Sequence, residues 1–181
     1  MKKQNIVFFG MKGRLSCVPL KEINKKYYVV GIVESAPRNK KSKKKFGSTI
    51  NGFIKALLFE IAHCINGSSL YFIAKQKEIP YYYSNNVSSK EMEIVLRKIS
   101  PGLICVSCFS QLIKSNIIQI PQHGIINLHP SLLPKYRGPN PMFWTYYNMD
   151  ETSGMTVHFI DEGEDTGEII YKEKFQIKLG M

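Results

Sequence analysis

Asn127 and His129 are the residues of this chain whose types and spacing could do chemistry together. They lie in Gly124-Ile125-Ile126-Asn127-Leu128-His129-Pro130-Ser131-Leu132-Leu133-Pro134, a short apolar run that delivers two polar side chains into a turn. Side chains two apart on a strand point to the same side, so the amide and the imidazole project together while Leu128 faces a core. Pro130 and Pro134 fix φ, remove a donor and bias the preceding residue toward extended backbone, which holds His129 at the end of the strand. A positioned amide donor can stabilise negative charge developing on an oxygen, and an imidazole can carry a proton. Taken alone, the pair is also explained by an asparagine capping a turn beside a satisfied buried histidine, polar residues near turns being common.

Such a pair needs a sheet edge to hold it, and the apolar runs supply one. Asn5 to Phe9, ending in Gly10, reads as a strand buried on both faces, followed by a turn and a helix from Leu15 to Lys25 despite Pro19. A second strand spans Tyr27 to Val33, a helix could form from Ile50 to Ile65, and a short helical stretch covers Leu70 to Lys77. Ile79 to Tyr83 is a short strand; Ser88 or Ser89 can cap a helix that runs through Ile99 and is broken by Pro101-Gly102. Leu103 to Ser107 is the next buried strand, Cys108 to Ile113 a loop, and Gly124 to His129 the motif strand. After it come a proline-rich loop, a helix from Met142 to Met149, a strand from Gly154 to Ile160, an acidic loop from Asp161 to Gly167 and extended structure from Glu168 to Tyr171. Strands alternating with helices predict an α/β fold, a mostly parallel Rossmann-like sheet flanked by helices. Ligands in such sheets bind outside the carboxyl ends of the strands, where Asn127 and His129 stand.

With 181 residues and 44% hydrophobic composition, the chain suits one core and is read as a single domain over 1–181. No apolar run spans a bilayer and the start lacks a signal peptide's apolar segment, so the expected location is the cytoplasm. Cys105 and Cys108 form a C-x-x-C, but Cys105 sits inside an apolar run and no second ligand pair follows, so no metal is expected. Neither the dinucleotide nor the triphosphate glycine fingerprint occurs. The net charge of +11 favours anionic partners without choosing among them, and much of it is local, in Arg38, Lys40, Lys41, Lys43, Lys44 and Lys45.

Asn127-Leu128-His129-Pro130-Ser131-Leu132-Leu133-Pro134, then Arg137-Gly138, then Gly154-Met155-Thr156-Val157-His158, then Asp165-Thr166-Gly167, in that order, resemble the folate-dependent formyltransferases. That family includes glycinamide ribonucleotide transformylase, methionyl-tRNA formyltransferase and the amino-sugar N-formyltransferases. The resemblance covers residues 103 to 171. It implies a formyltransferase-type catalytic core, an enzyme with 10-formyltetrahydrofolate as cosubstrate, and an Asn-His-Asp constellation at Asn127, His129 and Asp165. Asn127 and His129 would stabilise the tetrahedral intermediate, and Asp165 would orient His129 or order a proton-relay water. The loop Phe109, Ser110, Gln111, Leu112 and Ile113, with Ile160 and Glu164 of the later loop, would hold the pteridine, largely through main chain; Leu112 and Ile113 are equally explained as core. Ser131, Leu132, Leu133 and Arg137 would shape the acceptor entrance, with Arg137 packing the loop or meeting an anionic acceptor.

The acceptor follows from departures. Gly10-Met11-Lys12-Gly13-Arg14 lacks the glycine- and serine-rich phosphate loop of the glycinamide ribonucleotide enzymes. Arg137-Gly138-Pro139-Asn140-Pro141 replaces the Arg-Gly-Ala-Ala-Pro of the tRNA enzymes. The expected acceptor is therefore a nucleotide-linked amino sugar, with methionyl-tRNA as the alternative. Ending at Met181, where relatives continue, the chain is expected to be a core shortened at its carboxyl end, and a homodimer is left open. Outside catalysis stand a folate- or nucleotide-binding module of the same fold without turnover, and a basic adaptor recruited through residues 38 to 45.

Overall fold

The structure, a computed structural model, describes residues 4–37 and 69–177. The helix expected from Ile50 to Ile65 and the basic run 38–45 lie outside the described residues. A seven-stranded sheet carries the fold. Its first half is β1 (Asn5–Gly10), α1 (Arg14–Lys26), β2 (Tyr28–Ser35), α2 (Leu70–Gln76), β3 (Tyr81–Ser84), α3 (Lys90–Ile99) and β4 (Leu103–Ser107). The second is α4 (Ser115–Ile118), β5 (Ile125–His129), α5 (Pro141–Tyr147), β6 (Thr152–Phe159) and β7 (Ile169–Gln176). The strand order is β3-β2-β1-β4-β5-β6-β7; the first five run parallel, and β6 and β7 each pair antiparallel with the strand before them. The expected α/β sheet is thus present.

Both faces of the central strands are buried, as their unbroken apolar runs require. Val7, Phe9, Ile104, Val106 and Ile125 pack on one side against Leu96 of α3 and Ile117 of α4. Ile6, Phe8, Ile32 and Cys105 pack on the other against Cys17 and Leu20 of α1 and Leu70 and Ile73 of α2. Pro19 sits inside α1, where it cannot donate to the carbonyl one turn back. That carbonyl, Leu15 O, accepts instead from Ser107 Oγ at 2.7 Å, and Ser16 Oγ donates to Ser107 O at 2.7 Å. The interruption in α1 thereby ties the helix to the carboxyl end of β4, beside the site.

Two elements depart from the expectation. The stretch after Cys108 contains the single-turn helix α4, too short to leave a periodic signal. The last strand continues to Gln176, with all eight residues exposed and with Lys172, Glu173 and Lys174 along it, the charged composition that natural edge strands use against stray pairing. Gly154 shows how closely β6 is packed. A Cβ there would stand 2.2 Å from Glu173 O and 2.4 Å from Leu132 Cδ2. Gly154→Ala should lower stability by about 1–3 kcal/mol, read as a lower urea midpoint. Gly102→Ala, whose Cβ meets nothing nearer than 3.5 Å, should stay within about 0.5 kcal/mol of the parent.

Candidate active site

β5 delivers Asn127 and His129 to the carboxyl edge of the parallel strands, on the same side of the backbone. The antiparallel partner β6 then sets Asn127 opposite His158 and His129 opposite Thr156. Asp165 arrives from the loop after β6. Asp161 folds that loop locally, its Oδ1 accepting from Gly163 N at 3.0 Å and from Thr166 Oγ1 at 2.6 Å. Asp165 itself adopts a left-handed φ of 52°, a conformation aspartate tolerates better than most side chains.

The Asp165 carboxylate is the hub. Oδ2 accepts from Gly138 N at 2.8 Å and lies 3.4 Å from His129 Nδ1. Oδ1 lies 3.4 Å from both Asn127 Nδ2 and His158 Nε2. Gly138 has φ 82°, a region that favours glycine and that aims its N–H at the carboxylate. Burial pushes the Asp165 carboxyl up. The neighbouring His158 and His129 rings and the Gly138 N–H outweigh it and hold the group below its ordinary 3.8. His129 is buried, and its Nε2 donates to Tyr136 O at 2.9 Å. Both ring nitrogens are therefore occupied, one by a carbonyl and one by a carboxylate.

These groups open onto a cavity of about 590 Å³ lined by the ends of β4, β5 and β6, the loop 108–113, the loop 138–142 and the loop 160–165. The size suits a drug-sized or cofactor-sized molecule. The sequence pattern described as "Formyl transferase" matches residues 37–180, most of the chain, with Asn127, His129, His158 and Asp165 inside it. The chain belongs to the formyl transferase family. The methionyl-tRNA formyltransferase of Clostridioides difficile is 31% identical over 172 residues, 95% of this chain and 50% of that protein. That of Clostridium tetani is 46% identical over 83 residues, 46% of this chain and 27% of that protein. The chain thus spans about half the length, or less, of such relatives. Among solved structures, glycinamide ribonucleotide transformylase 1 from Geobacillus kaustophilus superposes with a TM-score of 0.70 at 20% identity, over 99% of this chain and 86% of that one, a likeness of fold.

The formyltransferase resemblance placed the folate loop at Phe109 to Ile113 with Ile160 and Glu164, and all seven residues line the cavity. Two of the side chains anchor the loop. Ser110 Oγ donates to Ala36 O at 2.6 Å, tying the loop to the end of β2. Gln111 accepts from Val87 N at 2.6 Å through Oε1 and donates to Ser84 O at 2.7 Å through Nε2. Leu112 is exposed at the cavity, whereas Ile113 belongs to the core as well.

The acceptor residues fare differently. Ser131, Leu132 and Leu133 do not line this cavity. Thr156 Oγ1 donates to Ser131 O at 2.6 Å and accepts from Leu133 N at 3.1 Å, which pins the turn onto β6. Ser131 Oγ closes the turn on Lys135 O at 2.7 Å. Leu132 and Leu133 border a second hollow of about 440 Å³. Arg137 is exposed beside Gly138 and has no hydrogen bond or ion pair among the described residues. His158 is the site residue that sequence reasoning left unassigned. The alternation of Gly154, Thr156 and His158 on one face of a strand was the available signal; what was not legible was that this face lies against Asn127.

Proposed function

We propose that this chain transfers the formyl group of 10-formyltetrahydrofolate to a primary amine at the Asn127-His129-Asp165 site. The observation that carries the reading is the convergence of these three side chains on one cavity that the loop 109–113 also lines. The amine attacks the formyl carbon, a new C–N bond forms, and negative charge collects on the formyl oxygen. An Asn127 N–H turned from Asp165 toward that oxygen donates to it, a contribution worth about 3–4 kcal/mol. With Nε2 committed to Tyr136 O, His129 exchanges a proton through Nδ1, on the Asp165 side. Collapse breaks the bond to folate N10, and the proton lost by the amine ends on that nitrogen. Asp165, held ionised, keeps His129 and Asn127 in register.

The acceptor proposed is an amine on a nucleotide-linked sugar, its phosphates met by Arg137, which is exposed next to the cavity-lining Gly138. Supporting it are the Arg137-Gly138-Pro139-Asn140-Pro141 sequence and a guanidinium without an ion pair among the described residues, which is suited to phosphate. Methionyl-tRNA is the second reading, favoured by the names of the relatives. Arg137→Ala should raise the acceptor's KM more than that of the formyl donor; equal rises would make it a loop-packing residue. The deciding assay offers 10-formyltetrahydrofolate with nucleotide-linked 3-amino and 4-amino sugars, and initiator methionyl-tRNA alongside. Turnover with a sugar supports the first acceptor, turnover with tRNA alone the second. Folate binding without turnover would leave a non-catalytic module, and absence of both would remove the function.

A further inference from the structure

His158 is 1% exposed, lies outside the family's Asn-His-Asp constellation, and faces the one side chain whose orientation the reaction depends on. Resting on the formyl-transfer reading, we infer that His158 is a positioning residue that sets which way the Asn127 amide points.

The Phe159 carbonyl lies 2.7 Å from His158 Nδ1, and a carbonyl only accepts, so Nδ1 carries a proton. In the neutral ring Nε2 is then a bare lone pair. It stands 3.2 Å from Asn127 Nδ2. An amide presents an oxygen and an NH₂ group of nearly the same shape; a lone pair at this distance accepts from the NH₂ and repels the oxygen. His158 thereby selects the orientation with nitrogen inward. One Asn127 N–H is spent on the histidine, and the other is left on the side of Asp165 and the cavity, where a formyl oxygen can take it. The Asp165 Oδ1 atom favours the same orientation from 3.4 Å, but it comes from a loop. His158 comes from the strand paired residue for residue with β5, Asn127 opposite His158, so the ladder itself fixes the contact. With a leucine there, the amide would be held by the longer contact alone, and small misplacements of a reacting group are costly, about 10²-fold per ångström.

The test compares the parent chain with His158→Leu and His158→Gln, the latter because a Gln Oε1 can accept from Asn127 much as Nε2 does. In ¹⁵N-labelled parent protein, one Asn127 side-chain amide proton should be shifted downfield and protected from solvent exchange. That protection should vanish in His158→Leu and persist in His158→Gln. With the preferred acceptor, His158→Leu should lose about 10²-fold in kcat with the formyl donor's KM unchanged, and His158→Gln should recover most of it. An unprotected Asn127 amide in the parent overturns the inference whether or not the chain transfers formyl groups. So does unchanged kcat in an active His158→Leu. If the leucine variant does not fold, the parent spectrum and the glutamine variant decide. Protection without formyl transfer by the parent chain would count against the proposed function and leave the orienting role supported.

Discussion

His129→Ala is expected to lower kcat for formyl transfer by about 10²–10⁴-fold, the range spanned by a positioned acid-base group. The loss should fall on kcat rather than on the formyl donor's KM, because the pteridine contacts proposed at 109–113 come from a different loop. Stability should suffer less than activity. The imidazole bridges Tyr136 O and Asp165 Oδ2, so its removal leaves two acceptors short of one partner. It does not open the main core, which is built from Val7, Phe9, Ile104 and their neighbours. Circular dichroism should show a folded sheet in the variant. A folded variant with turnover near the parent's would remove the proposed mechanism.

Asp165→Asn should be as damaging to activity, again by about 10²–10⁴-fold, for a different reason. The carboxylate accepts on both sides, from Gly138 N through Oδ2 and from Asn127 through Oδ1, with His129 Nδ1 and His158 Nε2 each 3.4 Å away. An amide can accept on only one side. If its oxygen takes the Gly138 N–H, its NH₂ faces the Asn127 NH₂, and one of the two donors must turn away. The negative charge 3.4 Å from His129 Nδ1 goes as well.

The same substitution has a signature in stability. The folded-state carboxyl lies below its ordinary 3.8, so its ionised form is favoured by folding. That contribution is fully present above the unfolded value, and it is lost as pH falls through the folded one. The parent should therefore be the more stable at neutral pH, with the gap to Asp165→Asn closing as pH drops below about 4. Urea midpoints taken across a pH series read this directly; a gap that widens in acid would contradict the environment described for Asp165.

Much of the fold was legible because it rests on short-range rules. Continuous apolar runs at 5–9 and 103–107 could only be buried on both faces, and Ser88 or Ser89 announced α3, Ser89 being the one that accepts from Met92 N at 3.3 Å. Asn127 and His129 were legible because strand period and two prolines place them on one side at a strand end. α4 was not, being one turn long, and the extent of β7 was not, because an exposed edge strand has no buried face to impose alternation. The resemblance gave Ser131, Leu132 and Leu133 to the acceptor entrance; what it did not show was that Thr156, distant in sequence, pins their turn onto β6.

What the sequence determined by itself is the chemistry available: an amide, an imidazole and a carboxylate carried in blocks whose order marks the formyl transferase family. Residue type and local spacing are enough for that, because strand period and proline geometry act over a few residues. What only the tertiary structure decided is how those groups are connected. Antiparallel pairing of β5 with β6 put His158 against Asn127, and the left-handed turn at Asp165 brought one carboxylate within reach of nitrogens from Gly138, Asn127, His129 and His158. Register across strands and the closing of a loop depend on contacts between residues about 30 to 40 positions apart, and no local rule of propensity or spacing reaches that far.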